Sequence, residues 1–227
     1  MSFRASERST ELREIDRFDG GVGWIAHPEE SMARASHALV ADGSLWVIDP
    51  VDSEALDELL AEVGEVAGVV VLFDRHRRDA DEIASRHDVP VYIPDWFDGV
   101  ADELERPTVR FGAELADSGL RSYPVTTNRF WQEAALYDPD DRTLVVPESV
   151  GTASYFRASG ERLGVHPAMR AFPPRERLGQ FEPQRILVGH GAGIDTDATA
   201  ALDAALANAR RTMPRLYAET VRQLFPL

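Results

Sequence analysis

Four short apolar segments of the chain stop at, or one residue before, an ionisable residue. The longest, residues 69–73, ends in a run of charged residues that begins with Asp74. Its β-branched and aromatic side chains are typical of a strand buried on both faces in a parallel sheet. Such strands deliver their carboxyl ends to the edge where α/β proteins bind ligands, which predicts a shared site there. The other segments are 45–48 before Asp49, 143–146 before Glu148, and 185–188 before His190.

Other segments have apolar residues at helical spacing, with polar residues between them. A serine at a predicted helix start and a proline inside a helical pattern indicate where such helices begin and end. The predicted helices are residues 53–63 with a cap at Ser53, residues 79–86, and a helix capped by Asp195 or Thr196 that breaks at Pro214 before a terminal helix.

Two hairpin signals complete the pattern of strands. Asp42 and Gly43 separate two apolar segments and predict a tight turn. Residues 118–146 alternate like antiparallel strands around a turn at residues 138–141. Two sheet regions with helices beside them predict a mixed α/β (α+β) fold of the αββα sandwich type. We expect residues 1–227 to form a single domain.

Residues 154–183 interrupt the periodic pattern with glycines and prolines. Long loops of this kind are usually functional or disordered, and the apolar residues between the breakers favour an ordered segment. We therefore predict a lid over the site. Its His166 and Arg170 are candidate substrate-binding residues.

Charge and composition restrict the class of partner. Arginine supplies all 24 basic residues, and 39 acidic residues give a net charge of -15. An acidic chain without lysine is typical of proteins from halophilic archaea. Because binding to phosphates of nucleic acids needs a basic face, we expect a small-molecule substrate or ligand rather than nucleic acid. The composition leaves the oligomeric state open.

Several features of the sequence bear on its location. The chain has no cysteine, so disulfides and thiolate metal ligands are excluded. Residues 1–20 carry charges throughout and do not form a signal peptide, and no apolar run has the length of a membrane span. We expect a soluble cytoplasmic protein without membrane contact.

The order of these motifs resembles that of the metallo-β-lactamase fold superfamily. An Asp-Pro pair at Asp49, a charged strand-end motif, an acidic strand end at Glu148 and a final Gly-His-Gly at His190 follow one another as in that family. The resemblance covers roughly residues 24–190. It implies the αββα fold and the family's metal-dependent hydrolysis.

The central motif departs from the family's pattern His-x-His-x-Asp-His. Residues 74–79 read DRHRRD, so His76 keeps the second histidine of the motif. The family's third histidine falls near residues 126–129, which contain no histidine. The other departures are Asp74 for the first histidine, Arg78 for the aspartate and Asp79 for the last histidine.

One hypothesis from the resemblance is a hydrolase of an ester, thioester or phosphoester with one divalent metal ion, namely zinc, manganese or iron. A guanidinium cannot lose its proton, so Arg78 opposes a second cation. The predicted catalytic residues are Asp49, which would orient the ligands, and Arg78, which would supply positive charge. The candidate metal ligands are Asp74, His76, Asp79, Glu148 and His190.

The same residues also allow a site without metal. Arg78, with Arg75 or Arg129, would then neutralise the carboxylates through bidentate hydrogen bonds. In this alternative the protein is a non-catalytic relative whose pocket binds a small molecule or a protein partner. The sequence leaves both hypotheses open, and with them whether the protein is an enzyme.

Overall fold

The computed structural model describes residue 5 and residues 8–224 of the chain. Residues 1–4, 6–7 and 225–227 lie outside the described residues. They belong to the predicted domain, and residues 1–4 and 6–7 also belong to the charged stretch of residues 1–20. The described residues form two large sheets with helices beside them.

Seven strands form the first sheet in the order in which they occur in the chain. The first four are antiparallel neighbours, and the last three are added in parallel. The strands are β1 (Arg13–Phe18), β2 (Gly21–Ile25), β3 (Ser36–Ala41), β4 (Ser44–Ile48), β5 (Val66–Val70), β6 (Val91–Pro94) and β7 (Thr108–Phe111).

The second half of the chain forms a smaller sheet and a short ribbon. Its strands are β8 (Arg121–Asn128), β9 (Trp131–Asp138), β10 (Thr143–Val146), β11 (Val150–Gly151), β12 (Gly164–Val165) and β13 (Arg185–Val188). The sheet order is β13-β10-β9-β8, and β11 pairs with β12 in the ribbon. Because β10 and β13 are parallel, their carboxyl ends meet at one edge.

Within the described residues, four helices accompany the sheets. They are α1 (Leu56–Ala61), α2 (Ala80–Arg86), α3 (Arg175–Leu178) and α4 (Ala198–Leu224). Three 3₁₀ turns cover Ala101–Glu103, Ser154–Phe156 and Pro167–Met169. None of the helices in the described ranges combines the length and the apolar character that crossing a membrane requires.

Successive residues of β4 face opposite sides of the first sheet, as the two-residue period of a strand requires. Trp46 and Ile48 belong to the apolar cluster between the two sheets. Val47 belongs to a separate cluster that contains Leu60 of α1 and Ile83 of α2. The first sheet is therefore covered by the second sheet on one face and by helices on the other.

Strand β10 repeats this arrangement in the second sheet. Val145 joins the cluster between the sheets. Leu144 and Val146 join a third cluster with Leu202 and Leu206 of α4. The order of layers is helix, sheet, sheet, helix, and the predicted αββα sandwich is confirmed.

The charged stretch of residues 1–20 contains a strand, β1, that the sequence analysis missed. β1 is an edge strand whose polar residues are exposed or half-buried, so its hydrophobic alternation is weak. Both carboxylate oxygens of Asp16 accept the backbone N–H of Gly193 at 2.8 Å. This contact connects β1 to the loop that follows β13.

Strand β5 ends at Val70, three residues before the predicted end at Phe73. The backbone N–H of Leu72 donates to the Oδ1 atom of Asp49 at 2.9 Å, so a side chain takes the place of a strand partner. Phe73 then forms an isolated bridge to Glu133 of the second sheet. The charged motif is therefore carried by a loop that crosses between the sheets.

Two predicted helix boundaries were also wrong. α1 begins at Leu56 without a side-chain cap, and the Ser53 hydroxyl accepts only the Ala55 N–H at 3.3 Å. α4 begins at Ala198 and continues through Pro214 to Leu224. An internal proline costs a helix about 3 kcal/mol. Burial of Ala209 before it and of Leu216 after it holds both halves of α4 against the domain.

Candidate metal centre

Four predicted site residues meet at one edge of the sandwich. Asp49 follows β4, His76 lies in the loop after β5, Glu148 follows β10 and His190 follows β13. β4 is parallel to β5, and β10 is parallel to β13, so the carboxyl ends of each pair emerge at the same edge. All four side chains are buried. The structure places these four predicted residues together at one edge.

The centre of this site is a carboxylate between two imidazoles. The Oε2 atom of Glu148 lies 3.1 Å from Nε2 of His76 and 2.9 Å from Nε2 of His190. One ligand atom from each of the three residues lies within 4.8 Å of the other two. Three side chains with metal-ligating atoms therefore converge on one point.

The outer nitrogens of both imidazoles are fixed by hydrogen-bond acceptors. Nδ1 of His76 lies 3.1 Å from the Oδ2 atom of Asp49, and Nδ1 of His190 lies 2.9 Å from the carbonyl oxygen of Met32. A carboxylate and a carbonyl can only accept, so each Nδ1 carries the proton and donates. In the neutral ring each Nε2 then presents a lone pair to Glu148. This is the orientation that metal-ligating histidines adopt in proteins.

Burial and hydrogen bonding set the charges of the cluster. Burial raises the pKa of Glu148, but His190 and His76, which donate to it when their Nε2 atoms carry protons, outweigh this effect and hold the pKa well below its ordinary value. Burial lowers the pKa of His190, against the raising effect of Glu148. The site therefore favours an ionised carboxylate at Glu148, whose charge needs a cation or a proton on a neighbouring Nε2 atom.

This donor set fits one divalent cation. Two neutral imidazole nitrogens and one carboxylate oxygen are ligands that zinc, manganese and iron accept. Without a cation or a shared proton, two lone pairs and a carboxylate oxygen would face one another in a buried position. The three side chains therefore fit the metal that the resemblance implies, as a single ion.

Arg78 lies beside this cluster and joins three loops. Its Nη1 donates to the carbonyls of Ala35 and Asp49 at 2.6 and 2.7 Å, and its Nη2 donates to that of Gly189 at 3.1 Å. Nη2 also lies 3.3 Å from Nε2 of His76. In the described ranges Arg78 forms no ion pair with a carboxylate, so the expected bidentate pairing with carboxylates was wrong. Its fixed charge opposes a second cation.

Asp74 and Asp79 do not join the cluster, which corrects their assignment as metal ligands. The Oδ2 atom of Asp74 accepts the N–H of Gln132 at 3.2 Å, and its own N–H donates to the Gln132 carbonyl. The Oδ2 atom of Asp79 accepts the N–H of Asp52 at 2.7 Å. Both carboxylates hold the loop in place through backbone contacts.

The predicted lid places one of its two candidate residues at the site. Nε2 of His166 lies 3.4 Å from the Oε1 atom of Glu148, on the side away from His76 and His190. Its Nδ1 accepts the N–H of Ala168 at 3.2 Å, so the neutral ring carries its proton on Nε2. His166 therefore faces Glu148 with a donor rather than with a lone pair.

Arg170 does not reach the site, which corrects its assignment as a substrate-binding residue. Its side chain is fully buried and pairs with Glu161 at 2.6 Å. It also donates to the Thr212 hydroxyl of α4 and to the carbonyls of Val165 and Phe156. These contacts fix segment 154–183 against α4.

A cavity of about 380 Å³ opens above the cluster. Its wall includes Trp131, which the sequence analysis did not assign to the site. The position of Trp131 directly after the hairpin tip was the signal that could have identified it. The residues that line the cavity are Met32, Arg34, Phe73, Arg75, His76, Arg78, Trp131, Glu148, His166 and His190.

Glu133 is a buried carboxylate behind the site that sequence reasoning missed. Its Oε1 atom accepts the N–H groups of Glu148 and Ser149 at 2.9 and 2.7 Å. Its Oε2 atom accepts the Ser149 hydroxyl, and the indole N–H of Trp131 at 3.0 Å. Burial nevertheless raises the pKa of Glu133. The residue fixes both the turn that carries Glu148 and the indole at the cavity wall.

Comparison with known proteins identifies the fold. No family model and no curated protein matches the sequence. The solved structure of the DIM-1 metallo-β-lactamase is 14% identical, with a TM-score of 0.60 over 89% of this chain and 100% of that one. The structure of VMB-1 is 12% identical, with a TM-score of 0.61 over 90% of this chain and 99% of that one. The structure of TMB-1 is 14% identical, with a TM-score of 0.59 over 87% of this chain and 98% of that one. The chain therefore has the metallo-β-lactamase fold.

Proposed function

We propose that the protein holds one divalent metal ion between His76, Glu148 and His190 and hydrolyses an ester, thioester or phosphoester of a small molecule. The observation that carries the proposal is the orientation of the two imidazoles. Both Nδ1 protons are taken by fixed acceptors, so both Nε2 lone pairs point at the same carboxylate oxygen. A divalent cation would accept both lone pairs and the carboxylate oxygen at the same time.

Bound there, the ion would supply a Lewis acid and lower the pKa of water. The residues of the chain would orient the ligands, balance charge and exclude water. Asp49 fixes the tautomer of His76, and Arg78 balances part of the carboxylate charge without leaving its three carbonyls. His166 would direct its Nε2–H toward the other carboxylate oxygen of Glu148. Phe73 and Trp131 keep water away from one wall.

A second candidate function is that of a non-catalytic binding protein, and the position of Arg78 favours it. Its Nη2 already lies 3.3 Å from Nε2 of His76, the nitrogen that a metal ion would use. With one imidazole protonated, two positive groups would face Asp49 and Glu148 without any ion. In this state the cavity would bind a small molecule or a protein partner.

The amount of metal bound by the purified protein distinguishes the two candidate functions. The full chain is purified without chelator, supplied with zinc, manganese or iron in turn, and analysed for bound metal by mass spectrometry. We expect about one equivalent, its loss in His76→Ala, and its retention in the control His87→Ala, whose ring contacts Asp57 on the surface. Hydrolysis of p-nitrophenyl acetate and bis-p-nitrophenyl phosphate is then compared in the same variants. A folded protein that takes up none of the three metals supports the second candidate.

A further inference from the structure

The charge of the cavity wall is opposite to that of the chain. The whole protein has a net charge of -15. Of the described residues that line the cavity, three are arginines and one, Glu148, is a carboxylate. An excess of positive side chains along a cavity wall raises the local concentration of anionic ligands. The wall is therefore suited to an anion, although the surface as a whole repels anions.

The three arginines differ in how much of their charge is available. Arg34 forms a bidentate pair with Glu30 at 2.8 Å, and both side chains are buried. Arg78 donates to three carbonyls. The side chain of Arg75 is 58% exposed, and its nearest carboxylate oxygen, in Asp74, is 4.0 Å away, beyond hydrogen-bond distance. Arg75 is therefore the cation that a ligand can reach.

Arg75 is also held in place by its neighbours. Its guanidinium carbon lies 5.6 Å from the ring centres of both Phe73 and Trp131, within the range of a cation–π contact. Its Nη2 donates to the carbonyl of Phe130. Contacts of this kind reduce the entropy that a flexible arginine loses when it binds an anion.

The two rings that hold Arg75 also form an apolar surface. The ring centres of Phe73 and Trp131 lie 5.0 Å apart, and both side chains belong to the same cavity wall. A ligand that contacts both the Arg75 guanidinium and this apolar surface has a negatively charged group next to an apolar or aromatic group. Neither feature depends on the His76, Glu148 and His190 cluster.

We propose that the cavity takes a small molecule with a carboxylate or phosphate group that binds Arg75 at the mouth, while an apolar part lies against Phe73 and Trp131. The inference rests on the proposed function for the site, because it names the class of substrate that the same cavity would accept. It makes Arg75 a specificity-determining residue.

The test measures binding to the full chain after treatment with a chelator, so that no metal ion can bind the anion. Phenyl phosphate, benzoate and the uncharged benzyl alcohol are the probes, and titration calorimetry at one salt concentration gives each Kd. Phenyl phosphate and benzoate distinguish the two anionic groups. We expect at least one of them to bind about tenfold more tightly than benzyl alcohol.

Arg129→Ala is the matched control for Arg75→Ala, because Arg129 stacks on Phe130 at the same hairpin tip but does not line the cavity. We expect Arg75→Ala to weaken binding of the anion about tenfold, Arg129→Ala to weaken it less than about twofold, and Arg75→Lys to restore part of the loss. Equal losses in the two alanine variants, or equal affinity of wild type for charged and uncharged probes, would overturn the proposal. Because the measurement needs no metal, its result is independent of whether the cluster binds one.

Discussion

The carboxylate of Asp49 connects the end of β4 to the imidazole of His76. Its Oδ2 atom lies 3.1 Å from Nδ1 of His76, and its Oδ1 atom accepts the N–H of Leu72 at 2.9 Å. The second contact prevents the carboxylate from rotating away from the ring. Asp49 therefore determines which nitrogen of His76 faces Glu148 with a lone pair.

Asp49→Asn should weaken metal binding about 10- to 100-fold. The asparagine oxygen can still accept the Leu72 N–H, but its amide nitrogen would then donate to Nδ1 of His76. The ring would have to carry its proton on Nε2, which removes the lone pair from the site. Competition with a chromogenic chelator gives the metal affinity.

Asp57→Asn is the control for this variant, because Asp57 also accepts from a histidine, His87, but on the surface at 3.2 Å. It should leave the affinity unchanged. If both asparagine variants bind metal as wild type does, Asp49 has no influence on the tautomer of His76.

The position of the site followed from the sequence because strand topology alone decides it. Buried apolar runs that end at Asp49, Glu148 and His190 predict parallel strands, and parallel neighbours deliver their ends to one edge. The location of the site could therefore be predicted without knowing in which direction each side chain points. The αββα layers followed from the same patterns.

The direction of each side chain could not be predicted in this way. Asp74 and Asp79 lie in the same charged loop as His76, yet their carboxylates accept backbone N–H groups of Gln132 and Asp52. Which of three neighbouring polar residues turns inward depends on backbone donors from distant segments. For Arg170 the decisive partners, Glu161 and Thr212, lie in the same segment and in α4, and their contacts are tertiary.

Arg78→Ala should lower the free energy of unfolding by about 3 kcal/mol or more, because it leaves the carbonyls of Ala35, Asp49 and Gly189 buried without donors. Urea denaturation at neutral pH measures the change. Arg110→Ala serves as comparison, since Arg110 also donates to two carbonyls, those of Asp95 and Phe97, but from an exposed position. A loss in Arg78→Ala no larger than in this control would mean that water replaces the guanidinium without cost.

Glu133→Gln should destabilise the fold by about 3 kcal/mol and also weaken metal binding. The carboxylate of Glu133 accepts four hydrogen bonds, from the backbone N–H groups of Glu148 and Ser149, the Ser149 hydroxyl and the Trp131 indole. In the glutamine variant, the side-chain amide nitrogen would face some of these donors without being able to accept from them. Thermal unfolding and metal titration are measured on the same samples. Glu114→Gln is the control, because Glu114 accepts the Gly119 N–H at an exposed turn. Stability lost without any change in metal affinity would limit Glu133 to a role in folding.

The pair of Glu161 and Arg170 should make stability depend on acid pH. Burial raises the pKa of Glu161, but hydrogen bonds from Arg170 and Thr212 outweigh it, so the folded-state pKa lies below the ordinary value of 4.5. A carboxylate with a lowered folded-state pKa stabilises the protein fully above its unfolded pKa, and this contribution is lost as the pH falls through the folded value. The window therefore begins near pH 4.5 and extends downward.

Glu161→Gln should lose about 3 kcal/mol at neutral pH, because Arg170 stays buried without its anion. The difference in unfolding free energy between wild type and this variant should then shrink as the pH falls below about 4.5, since wild type becomes protonated at the same position. Urea denaturation at several pH values between 3 and 7 measures both effects. Glu219→Gln removes a carboxylate of α4 that accepts only the Ser159 N–H among the described groups, and it should show neither effect. A constant difference across this range would mean that the pKa of Glu161 is the same in the folded and the unfolded protein, so that its pairing with Arg170 does not favour the ionised form.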